Sequence, residues 1–155
     1  MIVADTNLLV YLFVASEFTE RARQVHDSDS NWIFPPVALS EAANVLATLT
    51  REKWITAQTA SEVLADIEKC ILAGSREISM EAALDLAIKN RISVYDAQFV
   101  VLARSSGACL ITADRKLTDK FPETALSMEA FIKRGRDLTL RETGAVYRTR
   151  RRRRG

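Results

Sequence analysis

Apolar positions along this chain fall into two rhythms: unbroken runs of three or four residues, and longer stretches with apolar side chains three and four apart. Ile2-Val3-Ala4, Asn31 to Phe34 and Cys109 to Thr112 are too short for helices and read as buried strands. Ala125-Leu126-Ser127 reads as a weaker edge strand. Between them the helical rhythm takes over. Leu8 to Phe13 begins a helix behind the capping trio Asp5-Thr6-Asn7, and Glu17 to His26 makes a polar-faced helix with Phe18, Ala22 and Val25 inward. Pro35-Pro36 stops the second strand, and Ser40 is expected to cap a helix carrying Ala42, Val45, Leu46 and Leu49. Trp54-Ile55 marks the turn into a helix from Ala57 to Leu72, with Val63, Leu64, Ile67 and Ile71 on one face. These two helices form a hairpin that ends at Gly74.

Arg76 to Ile78 reads as a short extended piece. Ser79 then caps a helix from Met80 to Lys89 whose inward face is Ala83, Leu84, Ala87 and Ile88. Tyr95 to Ser105 is helical, buries Phe99, Val100, Leu102 and Ala103, and closes on Gly107. A last short helix is expected around Met128 to Lys133. Strands alternating with helices predict an α/β fold, a parallel sheet of four to five strands covered on both faces. At 155 residues the chain suits one domain with a real core. That domain is expected over residues 1–134, followed by a basic, disordered tail over 135–155.

Composition narrows the class only slightly. Hydrophobic residues make up 48% and charged residues 27%, ordinary for a soluble globular protein. No apolar stretch approaches the roughly 20 residues of a membrane span. No basic leader precedes the first apolar run, so a cytoplasmic protein with no membrane association is expected. Cys70 and Cys109 have no metal-ligand spacing and are expected to be reduced core thiols. Leu12, Phe13, Trp54 and Ile55 are likewise assigned to the core. The net charge of +2 conceals a division. Residues 141–155 hold seven arginines and one acid, leaving 15 basic and 19 acidic groups in the rest. A mildly acidic body therefore carries an Arg-rich end able to attract RNA.

The chemistry lies in four acids: Asp5 after the first strand, Glu41 and Asp96 near helix starts, and Asp114 after the third strand. Each alone is explained by helix capping or the helix dipole. In an open parallel sheet, however, sites form at the carboxyl ends of strands. Two carboxylates roughly 4 Å apart repel by about 1 kcal/mol in water and about 4 at an effective dielectric of 20. A helix N-terminus returns only about 0.3–1 kcal/mol. Four acids converging there require positive charge among them, and a divalent metal is the best candidate.

Other chemistries find no support in the residues. The only histidine, His26, is expected on the surface, far in sequence from the acids. No Gly-x-Ser-x-Gly elbow exists. Glycines at 74, 107, 135, 144 and 155 exclude a Walker loop and a Gly-x-Gly-x-x-Gly turn. An aspartyl-phosphate phosphatase usually needs a second Asp two residues after the first, where this chain has Asn7. A receiver-like domain usually pairs acids before its phosphorylated Asp, and that pairing is missing.

The opening Ile2-Val3-Ala4-Asp5-Thr6-Asn7, the Ser40-Glu41 helix start, the run Tyr95 to Ala103 with Asp96, and Leu110-Ile111-Thr112-Ala113-Asp114 together resemble the PIN-domain nucleases. More narrowly they resemble the VapC-type toxins of type II toxin–antitoxin pairs, over roughly residues 1–134 in the family's order. The resemblance implies a three-layer α/β/α PIN-like fold and a Mg²⁺- or Mn²⁺-dependent endoribonuclease, a toxin that inhibits translation. It places Asp5, Glu41, Asp96 and Asp114 on the catalytic quartet, with Asp5, Asp96 and Asp114 as metal ligands. Asn7 and Thr112 become polar supports and Asp119 a further acid. Apart from the resemblance, Arg115 and Lys116 lie beside Asp114 and are candidate contacts to substrate phosphate or a solvated charge pair. RNA as substrate, a small antitoxin protein as partner and a homodimer are implied as well. The rival expectation is a non-catalytic PIN-like module that binds metal or RNA through the same acids. A second rival places RNA binding in the Arg-rich end alone.

Overall fold

A computed structural model describes residues 1–135 of the chain. Apart from Gly135, the expected basic tail lies outside the described residues. Four parallel strands form one sheet: β1 (Ile2–Ala4), β2 (Trp32–Ile33), β3 (Cys109–Ile111) and β4 (Ala125–Leu126), in the order β2-β1-β3-β4. Val3 pairs with Ile33 on one side and Leu110 on the other, and Ile111 pairs with Leu126. Ile2, Val3 and Ala4 are all buried although their side chains alternate between faces. Both faces of the sheet are therefore covered, as in parallel sheets generally, and the architecture is three-layered α/β/α.

The helices are α1 (Thr6–Phe13), α2 (Thr19–Ser28), α3 (Ala38–Arg51), α4 (Ala57–Gly74), α5 (Met80–Asn90), α6 (Val94–Ser106), α7 (Arg115–Lys120) and α8 (residues 128–135). Against the sheet, α6 packs on β1 and β3, with α5 lying along α6. Elsewhere α3 and α4 form the expected hairpin, α1 packs on α2, α3 and α4, and α4 reaches β2. Among the described residues no helix is long and apolar enough to cross a membrane.

Gly74 is where a side chain cannot fit. A Cβ there would stand 2.3 Å from the Trp32 carbonyl oxygen and 3.0 Å from the Phe34 ring. That approach lets Phe34 donate to the Gly74 carbonyl and accept from Arg76, a one-residue parallel bridge between Phe34 and Ser75. The expected extended piece at Arg76 to Ile78 is thus reduced to a contact at Ser75. Gly107 takes the left-handed conformation at the end of α6, as expected.

Several expectations fail in instructive ways. Ser40 is not a cap, since α3 starts at Ala38 with Val37 as its cap, behind a turn in which the Ala38 N–H bonds the Pro35 carbonyl, and Ser40 falls inside the first helical turn. Leu84 and Ile88 are exposed at 52% and 70%, while Ala83 and Ala87 are buried. The small side chains face α6 because they allow close helix packing; the large ones face out with Met80. Trp54 is exposed at 76%, whereas Leu12, Phe13 and Ile55 pack partly buried against the core. Cys70 is exposed rather than buried, and Cys109 is half-buried; both are free thiols. His26 is exposed as expected, edge-on to the Trp32 ring.

Candidate functional site

The strand order itself points to one place. From β1 the chain adds β2 on one side, then crosses back to add β3 on the other, so the order reverses between β1 and β3. Ligands bind in open α/β sheets outside the carboxyl ends of the strands at such a reversal. Asp5 follows β1 directly and Asp114 follows β3 by three residues. A cavity of about 210 Å³ opens there, lined by Asp5, Glu41, Asp96 and Asp114 with Thr6, Asn7 and Asn44. Val45 and Leu117 supply its apolar wall. No Lys, Arg or His lines it among the described residues. Four distant segments thus deliver four carboxylates to one small opening.

Each carboxylate is held by its own partner. Thr112, fully buried, donates from Oγ1 to Asp5 Oδ2 at 2.6 Å and accepts from the Asp114 N–H at 3.0 Å. Thr6, also buried, donates from Oγ1 to Glu41 Oε2 at 2.8 Å. Ser93 Oγ accepts from the Asp96 N–H at 3.0 Å as the cap of α6 and donates to Asp96 Oδ2 at 2.7 Å. Asp114 caps α7, accepting from the Lys116 N–H at 2.7 Å. Asp5 stands at the capping position of α1 yet makes no side-chain cap bond.

Electrostatics records the crowding. Burial lifts the Asp5 carboxyl above the ordinary carboxylate range. The Thr112 hydroxyl and the Thr6 N–H pull it back, while the charges of Asp96 and Asp114 push it up again. Burial likewise raises Glu41, opposed by the Thr6 hydroxyl and reinforced by Asp5 and Asp96. Tyr11 is raised first by burial and then by Asp5. These groups feel one another as like charges across a shared space.

The donor set is entirely hard oxygen, the set that Mg²⁺ and Mn²⁺ prefer. In chemistry the residues fit such an ion. In spacing, no three acids among the described residues stand together closely enough to form a metal cage.

The other predicted residues divide. Asn7 lines the cavity, and Thr112 supports it from behind. Arg115 lies on a separate groove with Phe18, Arg21 and Glu129, and Lys116 on another beside Arg91 and Lys120. Asp119 borders both of those openings and not the acidic one. Thr6, Ser93 and Asn44 are site residues that sequence reasoning passed over. Thr6 was legible only as a cap, and Ser93 carried no assignment; Asn44 sits three residues after Glu41 and so on the same helix face.

Comparison with known proteins identifies the family and the fold. Residues 2–121 match the family model of the PIN domain. The chain is 31% identical over 124 residues to Ribonuclease VapC3 of Pyrobaculum aerophilum, covering 78% of this chain and 95% of that protein. Among solved structures it resembles PAE2754 from Pyrobaculum aerophilum, with a TM-score of 0.69 at 22% identity, covering 88% of this chain and 89% of the other. It also resembles a toxin–antitoxin complex from Klebsiella pneumoniae, with a TM-score of 0.59 at 16% identity over 83% and 98% of the two chains. The chain belongs to the PIN-domain family and is related to the VapC-type ribonuclease toxins of toxin–antitoxin systems.

Proposed function

We propose that the protein is a divalent-metal-dependent endoribonuclease and the toxin of a toxin–antitoxin pair. The observation that carries this reading is the set of four carboxylates on one cavity at the β1/β3 reversal, with no cation lining it among the described residues. Asp5, Asp96 and Asp114 are the groups that would hold Mg²⁺ or Mn²⁺. Bound there, the ion polarises a phosphoryl oxygen and lowers the pKa of water. The chain's own residues do the rest. Thr112 and Ser93 hold Asp5 and Asp96 in place through charge-assisted hydrogen bonds. Thr6 fixes one oxygen of Glu41, leaving Oε1 to take a proton from the attacking water. Water oxygen bonds to phosphorus, the bond to the leaving ribose oxygen breaks, and that oxygen takes up a proton from solvent.

The relative named as a ribonuclease supports RNA as substrate, and the Klebsiella complex supports a small antitoxin as partner. A homodimer follows from the family resemblance. A rival reading, the non-catalytic module, draws on the separation of the carboxylates. Cleavage of a mixed RNA pool with Mg²⁺ or Mn²⁺, and with chelator, decides between them. Cleavage that needs metal and vanishes in Asp96→Asn is expected. Equal activity in both proteins, or no cleavage by partner-free protein, overturns the nuclease.

A further inference from the structure

A second opening of about 380 Å³, whose lining residues neighbour Ser93, Asp114 and Leu117 in the chain, has the opposite character to the acidic cavity. Arg91, Ile92, Lys116, Asp119 and Lys120 line it: three cations and one acid. No salt bridge engages Arg91 or Lys116 among the described residues. Both walls are chained to the quartet. Lys116 gives its N–H to Asp114, and the Arg91-Ile92 segment runs directly into Ser93, which holds Asp96. The Lys120 ammonium donates to the Asn90 carbonyl, tying the end of α7 to the end of α5 across the opening.

Arg91 adds an independent sign. It has φ 54° and ψ 49°, the left-handed conformation that glycine or asparagine usually supplies after a helix. An arginine there, in no salt bridge among the described residues, is a backbone outlier of the kind that gathers at functional sites. We infer that Arg91 and Lys116, with Lys120 beside them, form a subsite for a backbone phosphate of the RNA strand, next to the phosphate at the acidic cavity. The inference rests on the ribonuclease reading, and it answers a difficulty within it. Four carboxylates repel a polyanion, so the grip on the strand must come from cations beside the cavity rather than in it. Ile92 supplies an apolar surface on which a base or ribose can rest.

The test measures binding of a fluorescent, unstructured poly-uridine strand in the Asp96→Asn background over a range of salt. Arg91→Gly suits the purpose, because glycine keeps the left-handed backbone while the guanidinium is removed with the rest of the side chain. Removing one cation from a phosphate flattens the dependence of log K on log salt by about 0.7. Arg91→Gly is expected to show that change, and Arg91→Gly with Lys116→Gln about twice it, both with thermal midpoints at or above the parent's. Unchanged slopes in folded variants overturn the subsite, as does a parent protein that binds no RNA. Loss of binding to an acidic peptide, with the RNA slope intact, also overturns it and assigns the cavity to a protein partner. Cleavage by the wild type is scored separately. Flattened slopes without cleavage keep the subsite and sink the nuclease; cleavage with unchanged slopes does the reverse.

Discussion

Thr112→Val removes one oxygen and almost no volume, so its effect reads out the polar work of that oxygen. The hydroxyl gives its proton to Asp5 at 2.6 Å and receives the Asp114 N–H at 3.0 Å, in a residue with no exposed surface. A hydrogen bond to a charged group contributes about 1.5–3 kcal/mol, and an ordinary one about 0.5–1.5. The variant should therefore lose roughly 2–4 kcal/mol at neutral pH in the presence of chelator. For a chain of this size that lowers the thermal midpoint by about 4–16 °C.

The pH dependence makes the test specific. Burial holds Asp5 above its ordinary 3.8 in the folded protein. The folded state thus binds its proton more tightly than the unfolded state, and stability present below 3.8 is lost as pH rises through the raised value. The Thr112 hydroxyl reduces that loss because it favours the charged carboxylate. Without it the folded value rises further and the loss is larger. Thermal melts from about pH 4 to about pH 8 should show a small deficit at the acid end that widens with pH and then levels off. In an Asp5→Asn background the Thr112→Val deficit should be smaller and flat. A deficit equal at every pH, or none, would refute the claim that this hydroxyl stabilises a buried charge.

Two further outcomes follow from the same structure. Asp5→Asn keeps an acceptor for Thr112 but deletes a desolvated charge facing Asp96 and Asp114; in chelator at neutral pH the midpoint should rise, by on the order of 1 kcal/mol or about 2–4 °C, while RNA cleavage is lost. Scanning calorimetry with a lower midpoint would show that the carboxylates do not strain the fold. Gly74→Ala places a methyl group 2.3 Å from the Trp32 carbonyl oxygen, which only a backbone shift can relieve. A loss of about 1–3 kcal/mol in urea denaturation is expected, and a neutral result would mean that α4 moves freely against β2.

The parts of the fold legible in the sequence were those where one local rule acts alone. Ile2 to Ala4 and Cys109 to Ile111 read as strands because nothing polar interrupts them, and Ser79 and Gly107 read as helix boundaries because each makes a short-range bond or turn. Illegible parts depended on the neighbour. Nothing within α5 says that its alanines rather than Leu84 and Ile88 meet α6, since hydrophobicity favours the larger side chains and only close packing favours the smaller. Ser40 was a plausible cap, but the turn from Pro35 to Ala38 starts α3 two residues earlier. In the site, residue type and order sufficed to nominate the four acids. Their supports, apart from Thr112 and Asn7, were invisible because Thr6 and Ser93 also have ordinary roles at helix starts.

Asp5 shows how a local explanation and a collective one can be told apart. By position it is the cap of α1, and a cap bond contributes about 1 kcal/mol. Asp114, in the same situation on α7, makes that bond. Asp5 does not: its carboxylate reaches instead to a threonine 107 residues along the chain and sits desolvated among other acids. The fold thus forgoes a local gain at the start of α1 and keeps a buried charge that its neighbours repel. Neither choice favours stability. Both are expected where a carboxylate is held for chemistry, because departures from local consistency concentrate at functional sites. Of the three acids that stand at or beside a cap position, Asp5 is therefore the one whose placement capping cannot explain. It shares that character with Glu41, which makes no cap bond and takes the Thr6 hydroxyl from another helix.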